Sequence, residues 1–207
     1  MNSFTRRLQL QGAAGAIEVL RDDPEAATQG IAFIAHPHPL FGGTMDNKVV
    51  QTLARAFVQA GWTAVRFNFR GVGASAGEHD EGRGETDDML SLVSQIAPEG
   101  PVALAGFSFG AFVASGALHA LWPVREIRKV VLVGTAASRF AVPVIPPDAH
   151  DRTLVLHGEQ DDTVALTAVM DWARPQALPV TVVPGGGHFF HGQLPLLKSL
   201  VARHLRS

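Results

Sequence analysis

The chain has 207 residues, of which 46% are hydrophobic and 17% charged, and its formal net charge is -2. A chain of this length is typical of a single domain that buries enough apolar surface to fold without disulfides or metals. The lack of a basic tract disfavours nucleic acid and anionic membranes as partners. The absence of cysteine excludes a disulfide framework, a thiolate zinc site and a cysteine nucleophile.

Two segments of the sequence are informative about the location of the protein in the cell. The N-terminal stretch "MNSFTRRLQLQG" has no apolar run of the signal-peptide type. Residues 101–124 contain no Asp, Glu, Lys or Arg and are long enough to span a bilayer. They also carry a turn signal around Ser108, so we interpret them as a buried strand, a tight turn and a buried helix. We predict a cytoplasmic protein.

Short apolar runs alternate with longer helical patterns along the chain. "FTRRLQLQ" and "GAIEVLRD" flank "GAAG" and predict an N-terminal β-hairpin. Six further strands are predicted at "GIAFIAH", "TAVRFNF", "PVALAGF", "KVVLVG", "TLVLHG" and "PVTVVP". Helices are predicted over residues 46–60, 85–96, 109–121, 164–172 and 194–205.

This alternation predicts an α/β fold in one domain, residues 1–207, with a mostly parallel eight-stranded sheet and helices on both faces. In such sheets ligands bind beyond the carboxyl ends of the strands. The residues that follow each strand are therefore the candidates for function.

The stretch "GFSFG" follows the strand "PVALAG" and opens a helix, which is the context that a nucleophile elbow requires. Glycines at 106 and 110 suit a turn too tight for side chains, and Ser108 would lie at the N-terminus of the helix. The alternative is a serine that caps an ordinary helix. We predict that Ser108 is a nucleophile.

A serine nucleophile needs a base and an orienting acid, which in this fold follow it in the order acid, then histidine. Asp161 and Asp162 follow "TLVLHG", and we favour Asp161 because Asp162 stands where the next helix is predicted to begin and would cap it. His188 and His191 follow "PVTVVP". We favour His188, since the three preceding glycines leave its loop free to place the side chain.

An acyl-transfer site also needs N–H groups that stabilise the oxyanion. One should belong to Phe109, and the other to the loop "HPHPLFGGTMDN" after the third strand. Proline has no N–H, so the choice in "HPHPL" lies between His38 and Leu40, of which we favour His38. The histidines of "HPH" and "HFFH" also suggest a metal site, which is disfavoured because no H-E-x-x-H pattern is present.

Together these motifs resemble those of small bacterial members of the α/β-hydrolase superfamily, in the dienelactone-hydrolase-like and carboxylesterase branches. The resemblance rests on "HPHPLFGGTMDNKVV", "NFRGVGAS", "GFSFG", "HGEQDDTV" and "GGGHFFHG" and covers about residues 4–205. It too implies Asp161 as the acid. The chain departs from dienelactone hydrolases, which carry cysteine at the elbow, and from many lipases, because residues 135–151 are too few for a substantial lid.

The hypothesis from sequence is thus a serine hydrolase that cleaves carboxylic esters, or thioesters, of small substrates through an acyl-enzyme. It predicts no cofactor, no metal, no nucleic-acid or membrane partner, and a monomer or homodimer. Peptidase, lactonase and acyltransferase activities on the same triad stay open, because a fold does not determine chemistry. A non-catalytic binding module is the alternative of another class.

Overall fold

The computed structural model describes residues 5–206. Its strands are β1 Thr5–Gly12, β2 Gly15–Asp22, β3 Ile31–Ala35, β4 Thr63–Phe67, β5 Val102–Phe107, β6 Ile127–Val133, β7 Thr153–Gly158 and β8 Val180–Val183. Its α-helices are α1 Lys48–Gln59, α2 Arg83–Ile96, α3 Phe109–Leu121, α4 Leu166–Ala173 and α5 Leu194–Arg206. Short 3-10 helices cover Pro39–Phe41, Pro147–Arg152 and Arg174–Gln176.

All eight strands form one sheet in the order β1-β2-β4-β3-β5-β6-β7-β8. β1 and β2 pair in antiparallel fashion, as does β2 with β4, while every pair from β4 to β8 is parallel. The strand order reverses direction around β3 and β5, so the ends of these strands leave a crevice in which α/β proteins bind ligands.

Helices cover the sheet on both faces. α1 and α5 pack together over one face, and α2, α3 and α4 lie on the other. The central strands are apolar on both sides because each face is buried: in β3, Ala32 and Ile34 belong to one core cluster and Phe33 and Ala35 to the other. The predicted fold class is confirmed.

The predicted boundaries differ at several ends. The first predicted strand began at Phe4, which lies outside the described residues. α1 begins at Lys48, because the Asn47 side chain accepts a hydrogen bond from the N–H of Val49 and so caps the helix at that point. α2 begins two residues before the predicted start, and α4 begins at Leu166 instead of residue 164.

The uncharged stretch 101–124 contains β5 and α3, as predicted. Within residues 5–206, no helix is both long enough and apolar enough to cross a membrane. Residues 135–151 form turns and the start of one 3-10 helix, so the prediction that this segment carries no substantial lid is confirmed.

Candidate active site

The tight turn between β5 and α3 consists of Ser108 alone, which has φ 57° and ψ −116°. The flanking glycines are a steric requirement of this turn. A Cβ at Gly106 would lie 2.1 Å from the carbonyl oxygen of Gly110, and one at Gly110 would lie 2.3 Å from that of Ala35. The elbow therefore holds the serine in an unfavourable backbone conformation and presents its hydroxyl beyond the strand end.

The structure brings Ser108, His188 and Asp161 into one hydrogen-bonded chain. Ser108 Oγ lies 3.0 Å from His188 Nε2, and His188 Nδ1 lies 2.7 Å from Asp161 Oδ2. All three side chains are buried. With the proton of the imidazole on Nδ1, His188 donates to Asp161 and accepts from the serine hydroxyl, which is the arrangement that activates a serine nucleophile.

Asp161 is held in place by the loop after β7. Its Oδ1 accepts hydrogen bonds from the N–H groups of Thr163 at 2.9 Å and Val164 at 2.7 Å. Burial raises the pKa of Asp161, but the hydrogen bonds from His188 and from these N–H groups outweigh it, so the net pKa is below its usual value. The carboxylate thus stays ionised and oriented beside the imidazole.

Asp162 does not cap the next helix, and that prediction is wrong. α4 starts at Leu166, so the residue at its N-cap position is Ala165, three residues after Asp162, and the helix has no side-chain cap. Asp162 is exposed, and its carboxylate contacts only the hydroxyl of the adjacent Thr163, at 3.3 Å, among the described residues.

His157 lies beneath the acid. It is fully buried, its Nε2–H donates to the carbonyl of Val164 at 2.9 Å, and the same nitrogen is 3.5 Å from Asp161 Oδ2. Burial keeps its pKa below the ordinary value, so it is a neutral neighbour of the carboxylate. His191, the competing base, is exposed and lies against the ring of Phe189 instead.

Two backbone N–H groups near Ser108 are candidates for an oxyanion hole. Within residues 5–206, the N–H groups of Phe109 and His38 donate to no other residue. The N–H of Leu40, by contrast, donates to His38 Nδ1 at 3.3 Å. Of the two candidates in "HPHPL", His38 therefore has the freer N–H.

The loop that carries His38 is fastened to the sheet through His36. The Nδ1–H of His36 donates to the Pro37 carbonyl at 2.6 Å, and its Nε2 accepts from the N–H of Phe69 at 2.9 Å. Burial lowers the pKa of His36 to about 4, so the ring is neutral and keeps this donor and acceptor pattern. A Cβ at Gly43 would lie 2.0 Å from the Pro37 carbonyl oxygen, so the loop folds back closely on itself.

Ser108 opens into a cavity of about 240 Å³ between the loop after β3 and the segment after β6. The wall is mostly apolar, with one permanent charge at Arg139. The lining residues are Pro37, His38, Phe41, Gly42, Gly43, Asn47, Ser108, Phe109, Ala136, Arg139, Phe140, Thr163, Val164, His188 and Phe189. A cavity of this size suits a small acyl or alcohol group.

The histidine-based metal site finds no support in the part of the chain that is described. No group of three or more His, Cys, Asp or Glu side chains there is placed to hold a metal ion. His36 and His188 are each occupied by the hydrogen bonds given above, and His191 is exposed.

Comparisons with known proteins identify the family of this chain. The family model described as serine aminopeptidase, S33, matches residues 40–148, more than half of the chain. A Xanthomonas campestris protein, XC6422, described as an α/β serine hydrolase without a lid, has a TM-score of 0.88 and 36% identity, with 100% of this chain and 95% of that chain covered. The chain belongs to the α/β serine hydrolases.

Two further relatives of this α/β serine hydrolase are similar over most of their length. An α/β serine hydrolase homologue from Coxiella burnetii has a TM-score of 0.83 and 34% identity over 97% of each chain. An uncharacterized protein of Rickettsia prowazekii, RP471, is 38% identical over 202 residues, which cover 89% of this chain and 82% of the relative.

Sequence reasoning missed several residues at the site of this α/β serine hydrolase. Arg139 and Phe140 come from the segment after β6, which was judged only by its length, although it follows a strand end. His79 packs its ring against those of His38 and Phe109, with centroids 4.7 Å and 5.4 Å away. No pattern in the sequence links His79 to these distant residues.

Proposed function

We propose that this α/β serine hydrolase cleaves carboxylic esters, and thioesters, of small substrates through an acyl-enzyme. The observation that supports this most directly is the hydrogen-bond chain from Ser108 through His188 to Asp161 beside a cavity. Ser108 attacks the carbonyl carbon, and His188 accepts its proton. His188 then returns the proton to the leaving group, and Asp161 holds the imidazole and stabilises its charged form.

The tetrahedral oxyanion would accept hydrogen bonds from the N–H groups of Phe109 and His38. Both are unused by other described residues. Phe109 N–H is at the N-terminus of α3, where the helix dipole adds favourable positive potential. In the second half-reaction water takes the place of the leaving group, and the same residues act in the reverse order. The proposed reaction needs no cofactor.

The charge of the cavity favours esters over the substrates of an aminopeptidase. An aminopeptidase binds a protonated N-terminal amine, for which a carboxylate is the natural partner. None of the residues that line the cavity in the described chain is Asp or Glu, and one is arginine. The lack of a lid favours small, water-soluble esters over emulsified lipid. A cytoplasmic location and a monomer or homodimer stay predictions.

The test of an activated serine is mass spectrometry of the intact protein after reaction with a fluorophosphonate, followed by peptide mapping. We expect a single adduct on Ser108 in the parent protein and none in the His188→Ala variant, with circular dichroism to show that both are folded. A folded parent protein without an adduct would contradict the proposal and favour the non-catalytic binding module.

The reaction class is tested with an ester, a thioester, a lactone and an amide of matched acyl groups. We expect kcat/KM for the ester and thioester to exceed that for the amide by orders of magnitude. An amide cleaved as well as the ester would indicate a peptidase. Acyl transfer to an added alcohol in preference to water would indicate an acyltransferase.

A further inference from the structure

A groove adjoins the cavity around Ser108 and continues it along the surface. The two share His38, Phe41, Arg139 and Phe140. The groove is completed by Leu40, His79, Glu81, Phe112 and Ala141. A substrate bound to Ser108 can therefore extend past these residues.

Arg139 carries an unpaired charge on the wall that the cavity and the groove share. Its side chain is exposed, and within residues 5–206 its guanidinium forms no ion pair or hydrogen bond. Arg66 and Arg70, by contrast, are paired with Asp22 and Asp88. A guanidinium presents several N–H groups in a fixed plane, which suits the oxygens of a carboxylate or phosphate.

His38 adds a neutral donor beside Arg139. His38 Nδ1 accepts from Leu40 N–H, so the ring proton is on Nε2, which contacts no acceptor among the described residues. The rings of His38 and His79 lie 4.7 Å apart. Burial, then His79 and Arg139, lower the pKa of His38 against the opposing effect of Glu85, so His38 is a neutral donor next to the guanidinium.

The nearby carboxylates do not neutralise the charge of Arg139. Glu85 is fully buried, and its oxygens accept hydrogen bonds from His79 Nδ1 at 2.8 Å and from the N–H groups of Asp80 and Gly82. Glu81 lies on the groove and is exposed, but it has no ion pair with Arg139. The free donors of the groove are therefore the guanidinium of Arg139 and the Nε2–H of His38, since the ring N–H of His79 is used by Glu85.

We propose that the substrate of this hydrolase carries a carboxylate or phosphate group, which Arg139 binds in the groove with help from the Nε2–H of His38. The apolar part of the ester then lies in the cavity beside Ser108. The inference rests on the proposed esterase activity and names the substrate class of the same site. The reaction is ordinary ester hydrolysis, and the anionic group takes no part in bond cleavage.

The test compares matched esters that differ only in a terminal charge. One set places the group on the acyl chain: p-nitrophenyl valerate, its ω-carboxylate analogue and its ω-phosphonate analogue. The other set places it on the alcohol: the butyrate esters of methyl 3-hydroxybenzoate, of 3-hydroxybenzoate and of 3-hydroxyphenyl phosphonate. The ratio of kcat/KM for each anionic ester to that of its neutral partner is measured in the parent, Arg139→Gln and Arg139→Lys proteins.

We expect the parent protein to prefer the anionic member of at least one set by roughly five- to tenfold, chiefly through KM. The ratio should fall to about one in Arg139→Gln, recover partly in Arg139→Lys and decline as salt is raised. Arg128→Gln, which removes another exposed arginine that pairs with Glu126, should leave the ratio as in the parent. The larger of the carboxylate and phosphonate ratios identifies the group that the groove binds.

Equal kcat/KM for anionic and neutral esters in both sets would overturn the inference, as would a preference that survives in Arg139→Gln. Either result would leave the proposed esterase function intact, because the neutral esters would still be cleaved. If no ester of either set is cleaved and no fluorophosphonate adduct forms, the proposed function itself fails.

Discussion

The rings of His38 and Phe109 pack against each other with their centroids 4.9 Å apart. His38 comes from the loop after β3, and Phe109 is the first residue of α3. These are the two residues whose N–H groups are proposed to stabilise the oxyanion, so their side-chain contact fastens the loop to the helix. The proposed oxyanion hole would thus be organised by side-chain packing as well as by the backbone.

The oxyanion donor at His38 can be tested by removing its N–H alone. His38 has φ −52°, which proline can adopt, so His38→Pro deletes the donor with little change in backbone conformation. We expect kcat to fall by roughly 10²- to 10³-fold. His38→Ala is the matched control, since it removes the same ring and keeps the N–H. If the two variants lose activity equally, the ring rather than the N–H is what matters.

The proposed triad predicts that the losses of activity caused by single substitutions are not additive. Ser108→Ala and His188→Ala should each lower kcat by about 10⁴-fold or more, and the double variant should be hardly worse than either. His191→Ala removes a histidine three positions away that is exposed, and it should retain activity within about twofold by the usual tolerance of surface sites. Initial rates on p-nitrophenyl butyrate measure all four proteins.

Substitution of the two adjacent aspartates, Asp161 and Asp162, should have very different effects on kcat. Asp161→Asn leaves the size of the side chain unchanged but favours the wrong imidazole tautomer, and we expect kcat to fall by about 10⁴-fold. Asp162→Asn removes the same charge one residue later, where the carboxylate is exposed, and should leave kcat close to that of the parent. Comparable losses in both variants would show that Asp161 is not the orienting acid.

The backbone strain at Ser108 predicts a gain in stability when a glycine replaces it. Its φ of 57° with ψ −116° is costly for a residue with a Cβ. Ser108→Gly should therefore unfold with a free energy about 1 kcal/mol higher than Ser108→Ala, although both lack the hydroxyl. Guanidinium unfolding of the two variants measures the difference. Equal stabilities would show that the elbow stores no strain.

Buried His36 predicts that stability falls as the pH is lowered below neutrality. Its pKa in the folded protein is about 4 against an ordinary 6.5, so the unfolded chain takes up the proton first. Stability is then greatest above pH 6.5 and declines as the pH falls toward 4, because protonated His36 would point an N–H at the N–H of Phe69.

This site alone should lower the free energy of unfolding by about 2 kcal/mol between pH 7 and pH 5. Buried His157 and partly buried His204 add to the fall in the same direction, since burial lowers their pKa values as well. Guanidinium unfolding at the two pH values measures the total. Titration of the His36 ring protons by NMR isolates its share, and a midpoint near 6.5 would contradict the prediction.

The sequence by itself determined the class of fold and the order of the elements, and it reduced the candidate triad to Ser108, one of two aspartates and one of two histidines. Each of these depends on local patterns. Continuous apolar runs indicate strands that are buried on both faces, and helical periodicity indicates the helices. The glycines on either side of Ser108 indicate a tight turn. Because the carboxyl ends of parallel strands lie at one edge of the sheet, the acid and the base for Ser108 are expected directly after later strands. Asp161 and His188 follow two such strands.

Where two neighbouring residues were possible, only the tertiary structure shows the contacts that distinguish them. Asp161 was preferred over Asp162 partly on a capping role that Asp162 does not have, because α4 begins at Leu166 and its N-cap position is Ala165. The competition between Leu40 and His38 depends on a hydrogen bond within the loop. Such choices follow from side-chain directions in turns, which local propensity does not specify.

The residues that line the cavity and the groove could not be predicted from the sequence either. Arg139, His38 and His79 are separated by tens of residues and meet only because β3, β4 and β6 bring their loops to the same edge of the sheet. Whether an arginine is paired depends on what lies within a few ångströms of its guanidinium, and that distance is a property of the folded chain. Short sequence motifs indicate the proposed catalytic residues. The residues proposed to select the substrate come together only when the chain folds.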